Sequence, residues 1–223
     1  MSRQLQHEVE KLQKRLLALT ATVQGVVQQA VRSMSEHDAE LAREVVEGDV
    51  GINRIEVDIE EECLEVLALH QPVAADLRLI IAVLKINNDI ERVGDLAVNI
   101  AERALFLCTQ PPIEPPYDFA EMCRRSLAML GESLDALLRL DTKLARRVRA
   151  SDQRVNAINR EMYAKIGAAV RKNPDHVERL LSYLAVSRHL ERIADYATNI
   201  AEDVIYLVEG EIVRHKHPVE AER

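Results

Sequence analysis

Apolar residues recur every three or four positions along almost the whole chain, and no stretch alternates as a β-strand would. This spacing puts the apolar side chains on one face of a helix, so it predicts an all-α protein. The clearest run comprises Leu5, Val9, Leu12, Leu16, Leu19, Val23, Val26, Val27 and Val31. The pattern as a whole predicts six helices, over about 5–34, 39–70, 74–108, 119–139, 141–172 and 174–208.

Local breaks divide these helices into two groups. Residues 35–38 provide a break and an N-cap, and Pro72 ends the second helix because the residue before a proline is disfavoured in a helix. The segment 110–116, QPPIEPP, holds four prolines in seven residues and is the strongest linker in the chain. Pro174 suits the first turn of the last helix. We therefore expect a first unit (1–109), a linker (110–116), a second unit (117–209) and a frayed polar tail (210–223).

The two units share a sequence pattern. At an offset of 100 residues, 91–102 and 191–202 both read Glu-Arg-x-x-Asp-x-Ala-x-Asn-Ile-Ala-Glu, with eight of twelve positions identical. A weaker match at an offset of 103 pairs Asp38, Leu41, Ala42, Arg43, Asp49 and Asn53 with Asp141, Leu144, Ala145, Arg146, Asp152 and Asn156. Two matches in the same order indicate an internal duplication. The predicted fold is thus two tandem three-helix bundles.

The repeated segment places oxygen-bearing side chains in one stripe beside the buried face of each third helix. A rotation of about 100° per residue puts the four side chains of each copy within roughly 80° of arc. The stripes are Glu91, Asp95, Asn99 and Glu102 in the first unit, and Glu191, Asp195, Asn199 and Glu202 in the second. The second helix of each unit could add Asp49, Asn53 and Glu56, or Asp152 and Asn156.

Two interpretations of the stripes stay open. Neighbouring carboxylates repel unless a cation lies among them, and an oxygen-only set suits a hard divalent cation or iron. Alternatively, the stripes are solvated charged faces held by Arg92 and Arg192. Retention of the acids and the Asn in both copies, beside the core, favours metal.

No constellation of residues points to catalysis. The chain contains no Gly-x-x-x-x-Gly-Lys loop, no Gly-x-Ser-x-Gly elbow and no His-Glu-x-x-His pair. None of its seven histidines has a Glu three residues earlier, so the Glu-x-x-His pairs of di-iron bundles are also absent. We expect a protein that is not an enzyme.

Composition narrows the location and the partners. The chain holds 37 acidic and 29 basic residues, and residues 1–110 account for the whole net charge of -8. An acidic chain with 3% aromatic residues and no Trp is a poor nucleic-acid binder. The longest apolar run, 79–84, is too short to cross a bilayer, and the N-terminus lacks a signal-peptide core. With three scattered cysteines, these features predict a cytoplasmic protein.

The doubled segment, the two three-helix units and the ending DVIYLVEG (203–210) resemble the PhoU family of bacterial phosphate-specific transport. The resemblance covers nearly the whole chain. It implies the metal motif of the family at Glu91/Asp95 and at Glu191/Asp195, with Fe, Zn, Mg or Mn as the cation. At the equivalent spacing in the second helices, an Asn replaces the second acid of the motif.

The resemblance also implies a function. Proteins of this family are cytoplasmic regulators, often homodimers, that bind the ATPase subunit of the phosphate transporter and the phosphate-sensing histidine kinase. They keep the kinase in its non-activating state when phosphate is plentiful, and they reach the membrane only through these partners. Two alternatives remain: a metal-storing or iron-dependent bundle that uses the same stripes, and a helical adaptor for another transporter or signalling pair.

Overall fold

The computed structural model describes residues 3–210 and Val213, and within them it is built from long α-helices without a β-strand. These are α1 (Arg3–Glu36), α2 (Ala39–His70), α3 (Ala74–Cys108), α4 (Phe119–Arg139), α5 (Thr142–Lys172) and α6 (Val177–Glu209). The predicted all-α fold is confirmed. The predicted tail lies, apart from Gly210 and Val213, outside the described residues.

Aspartates begin three of the helices. A cap was expected only in residues 35–38, whereas Asp141 was expected inside the fifth helix and no cap was expected before the fourth. The carboxylates of Asp38, Asp118 and Asp141 each accept two backbone N–H groups from the first turn of the helix that follows. Such an N-cap stabilises a helix by about 1 kcal/mol. Gln71, with a φ of 44°, ends α2 just before Pro72.

The expected start of the last helix at Pro174 is wrong. Pro174–His176 forms a single 3-10 turn, closed by a hydrogen bond from the Val177 N–H to the Pro174 carbonyl oxygen. His176, with a φ of -93° and a ψ of 3°, is not α-helical, so α6 begins one turn later at Val177. Pro174 therefore begins the 3-10 turn and not the α-helix.

The two units share one hydrophobic core. Helices α1, α2 and α3 pack together, as do α4, α5 and α6, and the units join through α3 against α6 and α1 against α4. The buried apolar residues of both units belong to a single cluster. Each large side chain in it contributes about 1.5–3 kcal/mol. The duplicated bundles therefore form one structure rather than two independent ones.

Helices α3 and α6 form the floor of a groove. They run antiparallel, since Leu77 and Ile81 near the start of α3 share a pocket with Tyr206 and Leu207 near the end of α6. In the described part of the chain, α2 packs against neither α5 nor α6. The groove above the floor is therefore bordered by α2 on one side and by α5 on the other.

Candidate functional site

A glycine brings the acidic residues of α2 close to those of α3. A Cβ added to Gly94 would lie 3.3 Å from Ile52 Cγ2 and 3.9 Å from Asp49 Oδ1, so the missing side chain permits this close approach. Asp49 is held in turn by Asn53, whose Nδ2 donates to Asp49 Oδ2 over 2.8 Å. Both residues were predicted as ligands from the second helix, and the structure places Asp49 against α3.

Negative charge accumulates at this contact. Burial raises the pKa of Glu91, and the neighbouring Asp95 raises it further, with smaller contributions from Glu56 and Asp49. Arg92 acts in the opposite direction, but it does not compensate. Its Nη1 lies 3.3 Å from Asp95 Oδ2, and its Nε lies 3.5 Å from Glu91 Oε2. The structure therefore brings Asp49, Glu91 and Asp95 together, as predicted, around one partly exposed arginine.

Several oxygens in this first cluster have no hydrogen-bond donor. Asp49 Oδ1, Asn53 Oδ1 and Glu91 Oε2 are all buried and accept no hydrogen bond, although Glu91 Oε2 has the ion pair with Arg92. A buried carboxylate oxygen without a donor is costly, so such atoms call for a cation, a water molecule or a proton. All three are acceptors, which is the chemistry of a hard-cation site.

The second unit repeats the arrangement between α5 and α6. Asn156 Nδ2 donates to Asp152 Oδ2 over 2.6 Å, while Asp152 Oδ1 and Asn156 Oδ1 are buried and unpartnered. Asp195 borders the groove, but the protein atoms around its carboxyl group displace water, and Asp152 and Glu191 add negative charge. Together these effects raise the pKa of Asp195 to about 6, against the opposing charge of Arg192.

The last two residues of each predicted stripe have different surroundings from the first two. Asn99 Nδ2 donates over 2.8 Å to the carbonyl oxygen four residues earlier in its own helix. Glu202 Oε1 accepts an ion pair from Arg149 Nε of α5 at 3.1 Å. Asn99 and Glu202 thus have other partners, Glu102 and Asn199 are exposed, and the role of all four as ligands stays a prediction.

The oxygen atoms of the two clusters are of the kind that hard cations bind, but they are not arranged as a complete coordination sphere. Within residues 3–210 and Val213, no three His, Cys, Asp or Glu side chains are arranged so that they could hold an ion. What they offer is a set of buried acceptor oxygens that accept no hydrogen bond, from α2 and α3 in the first cluster and from α5 alone in the second. Asn53 and Asn156 supply oxygen without charge, which lowers the negative charge of each site.

Comparisons with known proteins identify the family. The family model described as PhoU domain matches residues 16–104 and again residues 119–204, so each unit is one copy. The chain belongs to the PhoU family. Both matched segments contain one Glu-Arg-x-x-Asp-x-Ala-x-Asn-Ile-Ala-Glu sequence.

Relatives resemble this PhoU-family chain along its whole length. The phosphate-specific transport system accessory protein PhoU homolog of Aquifex aeolicus is 38% identical over 94% of this chain and 95% of its own length. The homolog of the same name from Pseudomonas aeruginosa is 39% identical over 96% of this chain and 89% of its own. These names describe accessory proteins and not enzymes, in agreement with the non-enzymatic function predicted from the sequence.

Solved structures share the fold. The crystal structure of PhoU from Pseudomonas aeruginosa superposes with a TM-score of 0.86 at 38% identity, covering 92% of this chain and 99% of that one. The phosphate transport system regulatory protein PhoU from Streptococcus pneumoniae gives a TM-score of 0.83 at 29% identity, covering 94% and 99%. No helix in the described part of the PhoU-family chain has the length and apolarity needed to span a membrane.

Sequence reasoning missed one feature of the groove. A cleft of about 820 Å³ lies between α2, α3 and α6. Three of its acidic lining residues, Glu60, Asp89 and Asp203, were not predicted as site residues, although Asp203 begins the segment 203–210. They come from three different helices, so only the packing of α3 against α6 brings them together. The one sequence signal was the acidic excess of residues 1–110.

Proposed function

We propose that the chain is a cytoplasmic negative regulator of phosphate-starvation signalling and of phosphate uptake. It would couple the ATPase subunit of the phosphate ABC transporter to the phosphate-sensing histidine kinase. The observation that carries this proposal is the full-length similarity to accessory and regulatory proteins of phosphate transport, which runs through both units. A fragmentary match to one bundle would support the fold alone.

The coupling would work by differential binding. A protein conveys the state of a transporter only if it binds two states of that transporter with different affinity. The single core is consistent with this function, because the packing of α3 against α6 connects the two units. Each unit could then present a surface whose position depends on the other. A homodimer would double these surfaces.

The carboxylate clusters would contribute by binding divalent or iron cations, with Fe, Zn, Mg and Mn as the candidates. Asp49, Asn53, Glu91 and Asp95 are the proposed ligands in the first unit. The support is the set of buried acceptor oxygens that accept no hydrogen bond, on α2 and α3 in the first cluster and on α5 in the second. In the second cluster, Glu191 and Asp195 of α6 add negative charge beside Asp152. A cation there would hold α2 against α3, and its equivalent would hold α5 against α6. This is a structural role in presenting a docking surface, not a chemical one.

Direct binding to purified partners tests the regulatory proposal. Isothermal titration should show binding to the transporter ATPase and to the cytoplasmic part of the kinase, and sedimentation should show the dimer. The double variant Glu91→Ala with Asp95→Ala should weaken partner binding. The matched control, Glu44→Ala with Glu47→Ala, changes two exposed acids of α2 and should not. Full binding by the Glu91/Asp95 variant would refute the role of the metals.

The remaining alternatives make different predictions. A metal-storing or iron-dependent bundle would consume oxygen or accumulate iron on addition of Fe(II), whereas the proposed regulator should bind the ion without turnover. An adaptor for another pathway would bind neither the phosphate-transporter ATPase nor the sensor kinase. Oxygen consumption or iron accumulation would favour the metal-storing or iron-dependent bundle over the proposed function. Failure to bind both partners would favour the adaptor, and the two experiments are independent.

A further inference from the structure

Two adjoining recesses lie on the α2 side of the groove. One is the cleft of about 820 Å³ between α2, α3 and α6. The other is a pocket of about 190 Å³ at the start of α3 and the end of α6. Lys85 and Asp203, whose Nζ and Oδ1 lie 3.5 Å apart, line both, so the recesses form one continuous surface.

The pocket at one end of this surface is apolar. Leu77, Ile81 and Tyr206 line it, with 39%, 40% and 38% of their surface exposed. A single exposed apolar side chain is ordinary, but three that converge on one pocket beside polar surroundings are typical of an interaction site. Leu77 and Ile81 lie one turn apart on α3, and Tyr206 lies beside them on α6. This spacing suits the apolar face of a bound helix, whose side chains recur every three or four residues.

The cleft at the other end is acidic. Its charged lining comprises one lysine and the carboxylates of Glu56, Glu60, Asp89, Asp195, Glu202 and Asp203. Lys85 pairs with Asp203, and Arg149 pairs with Glu202. Acids outnumber bases even with these pairs included, so the cleft presents negative potential to any partner.

The internal duplication shows that this charge is specific to one side of the groove. The hydrogen bond of Asn87 to Glu56 on the first side corresponds to that of Ser187 to Asn159 on the second, so the packing is equivalent. At the positions of Asn88, Asp89 and Asp203, the second side carries Arg188, His189 and Arg103. The apolar positions are kept, because Leu181 stands where Ile81 stands. The second side therefore retains the apolar end but keeps only two of the six acids. Asp95 and Glu102 correspond to Asp195 and Glu202, whereas Asn159 and Tyr163 stand where Glu56 and Glu60 stand.

We propose that the surface between α2, α3 and α6 binds a basic amphipathic helix of a partner protein. Apolar side chains of that helix enter the pocket of Leu77, Ile81 and Tyr206, and its Lys and Arg side chains lie along the acidic cleft. The span from Leu77 to Asp89 on α3 is about 18 Å, which matches three to four turns of a bound helix. One such helix binds per chain, since the second side keeps only two of the six acids and carries Arg188 and Arg103 beside them. The proposal requires neither the metals nor the partners proposed above.

A model peptide tests this proposal on the full chain. The probe is a fluorescein-labelled 18-residue helix of Leu and Lys, with Leu at the i, i+3, i+4 and i+7 positions, and its counterpart has Glu in place of Lys. Fluorescence anisotropy is measured with EDTA present, so that metal binding does not contribute. We expect one Lys peptide to bind per chain, with an affinity that falls as salt rises, and no binding of the Glu peptide.

Matched variants decide where the peptide binds. Ile81→Ser should weaken binding about tenfold, whereas Leu181→Ser at the duplicated position should change it less than twofold. Glu60→Lys should also weaken binding about tenfold, whereas Glu47→Lys, which reverses an exposed charge on α2 outside the cleft, should not. Equal weakening in each pair, binding of two peptides per chain, or no binding of the Lys peptide would overturn the proposal. Glu60 is exposed, so its variant remains informative if Ile81→Ser folds poorly.

Discussion

Neutralising Glu91 without changing its shape separates charge repulsion in the first cluster from cation binding. Carboxylates about 6 Å apart repel by roughly 0.7–2.8 kcal/mol at effective dielectric constants of about 80 to 20. Arg92, which contacts both Glu91 and Asp95, offsets part of that repulsion. We therefore expect Glu91→Gln to raise the free energy of unfolding of the metal-free protein by about 1 kcal/mol. In a chain of this size that is an increase of about 2–4 °C in Tm.

The same substitution should remove much of the stabilisation by metal. A cation at 100 times its Kd stabilises the folded state by about 2.7 kcal/mol, equivalent to roughly 5–11 °C. Calorimetry with EDTA and with Mn²⁺ measures both effects, and elemental analysis gives the metal stoichiometry. Glu191→Gln is the matched control, because it should affect the second cluster and leave the first intact. A lower metal-free Tm for Glu91→Gln, or an undiminished shift with Mn²⁺, would refute the reasoning.

Three further predictions concern pH, packing and capping. The pKa of Asp195 is raised to about 6, so the folded state favours the protonated carboxyl group. The contribution of Asp195 to the free energy of unfolding should therefore fall as the pH rises from the ordinary pKa of an aspartate to about 6. Protons should therefore weaken metal binding at the second cluster below pH 6, and carboxyl ¹³C shifts should show the pKa of Asp195 falling when Mg²⁺ is added. Gly94→Leu should push α2 away from α3. It should lower the free energy of unfolding by about 1–3 kcal/mol in urea titrations and abolish metal binding at the first cluster. Gly51→Leu is the control, because a side chain at Gly51 meets open space, and it should cause none of these changes. Asp38→Ala should cost about 1 kcal/mol in the same urea assay and Asp38→Asn much less; equal losses would contradict the capping role.

The helices were predictable because their signals are local. Apolar spacing, the N-cap Asp38 and the break at Pro72 lie within a few residues of the ends that they determine. The error at Pro174 came from treating a proline as a helix start, when the backbone of His176 closes a tighter turn first. The shared core could not be predicted, because apolar periodicity shows that a face is buried but not which helix buries it.

The candidate site was predictable in position but only in part in geometry. The wheel placed Glu91 and Glu191 on the stripes, and the structure puts both among other acids. A wheel treats all turns of a helix alike, however, while the neighbouring helix contacts only some of them. Asn99 therefore bonds to the backbone of its own helix, a local contact across four residues. Glu202 pairs with Arg149 of α5, a partner that no sequence spacing could indicate.

The central claim is that this chain silences the phosphate-starvation response when phosphate is plentiful. Alkaline phosphatase activity in phosphate-rich medium tests it most directly, in a strain that lacks the gene, with and without the chain supplied back. The predicted result is high activity in the deletion strain and low activity once the chain is restored. Low activity in the deletion strain itself, unchanged by the chain, would contradict the proposed function.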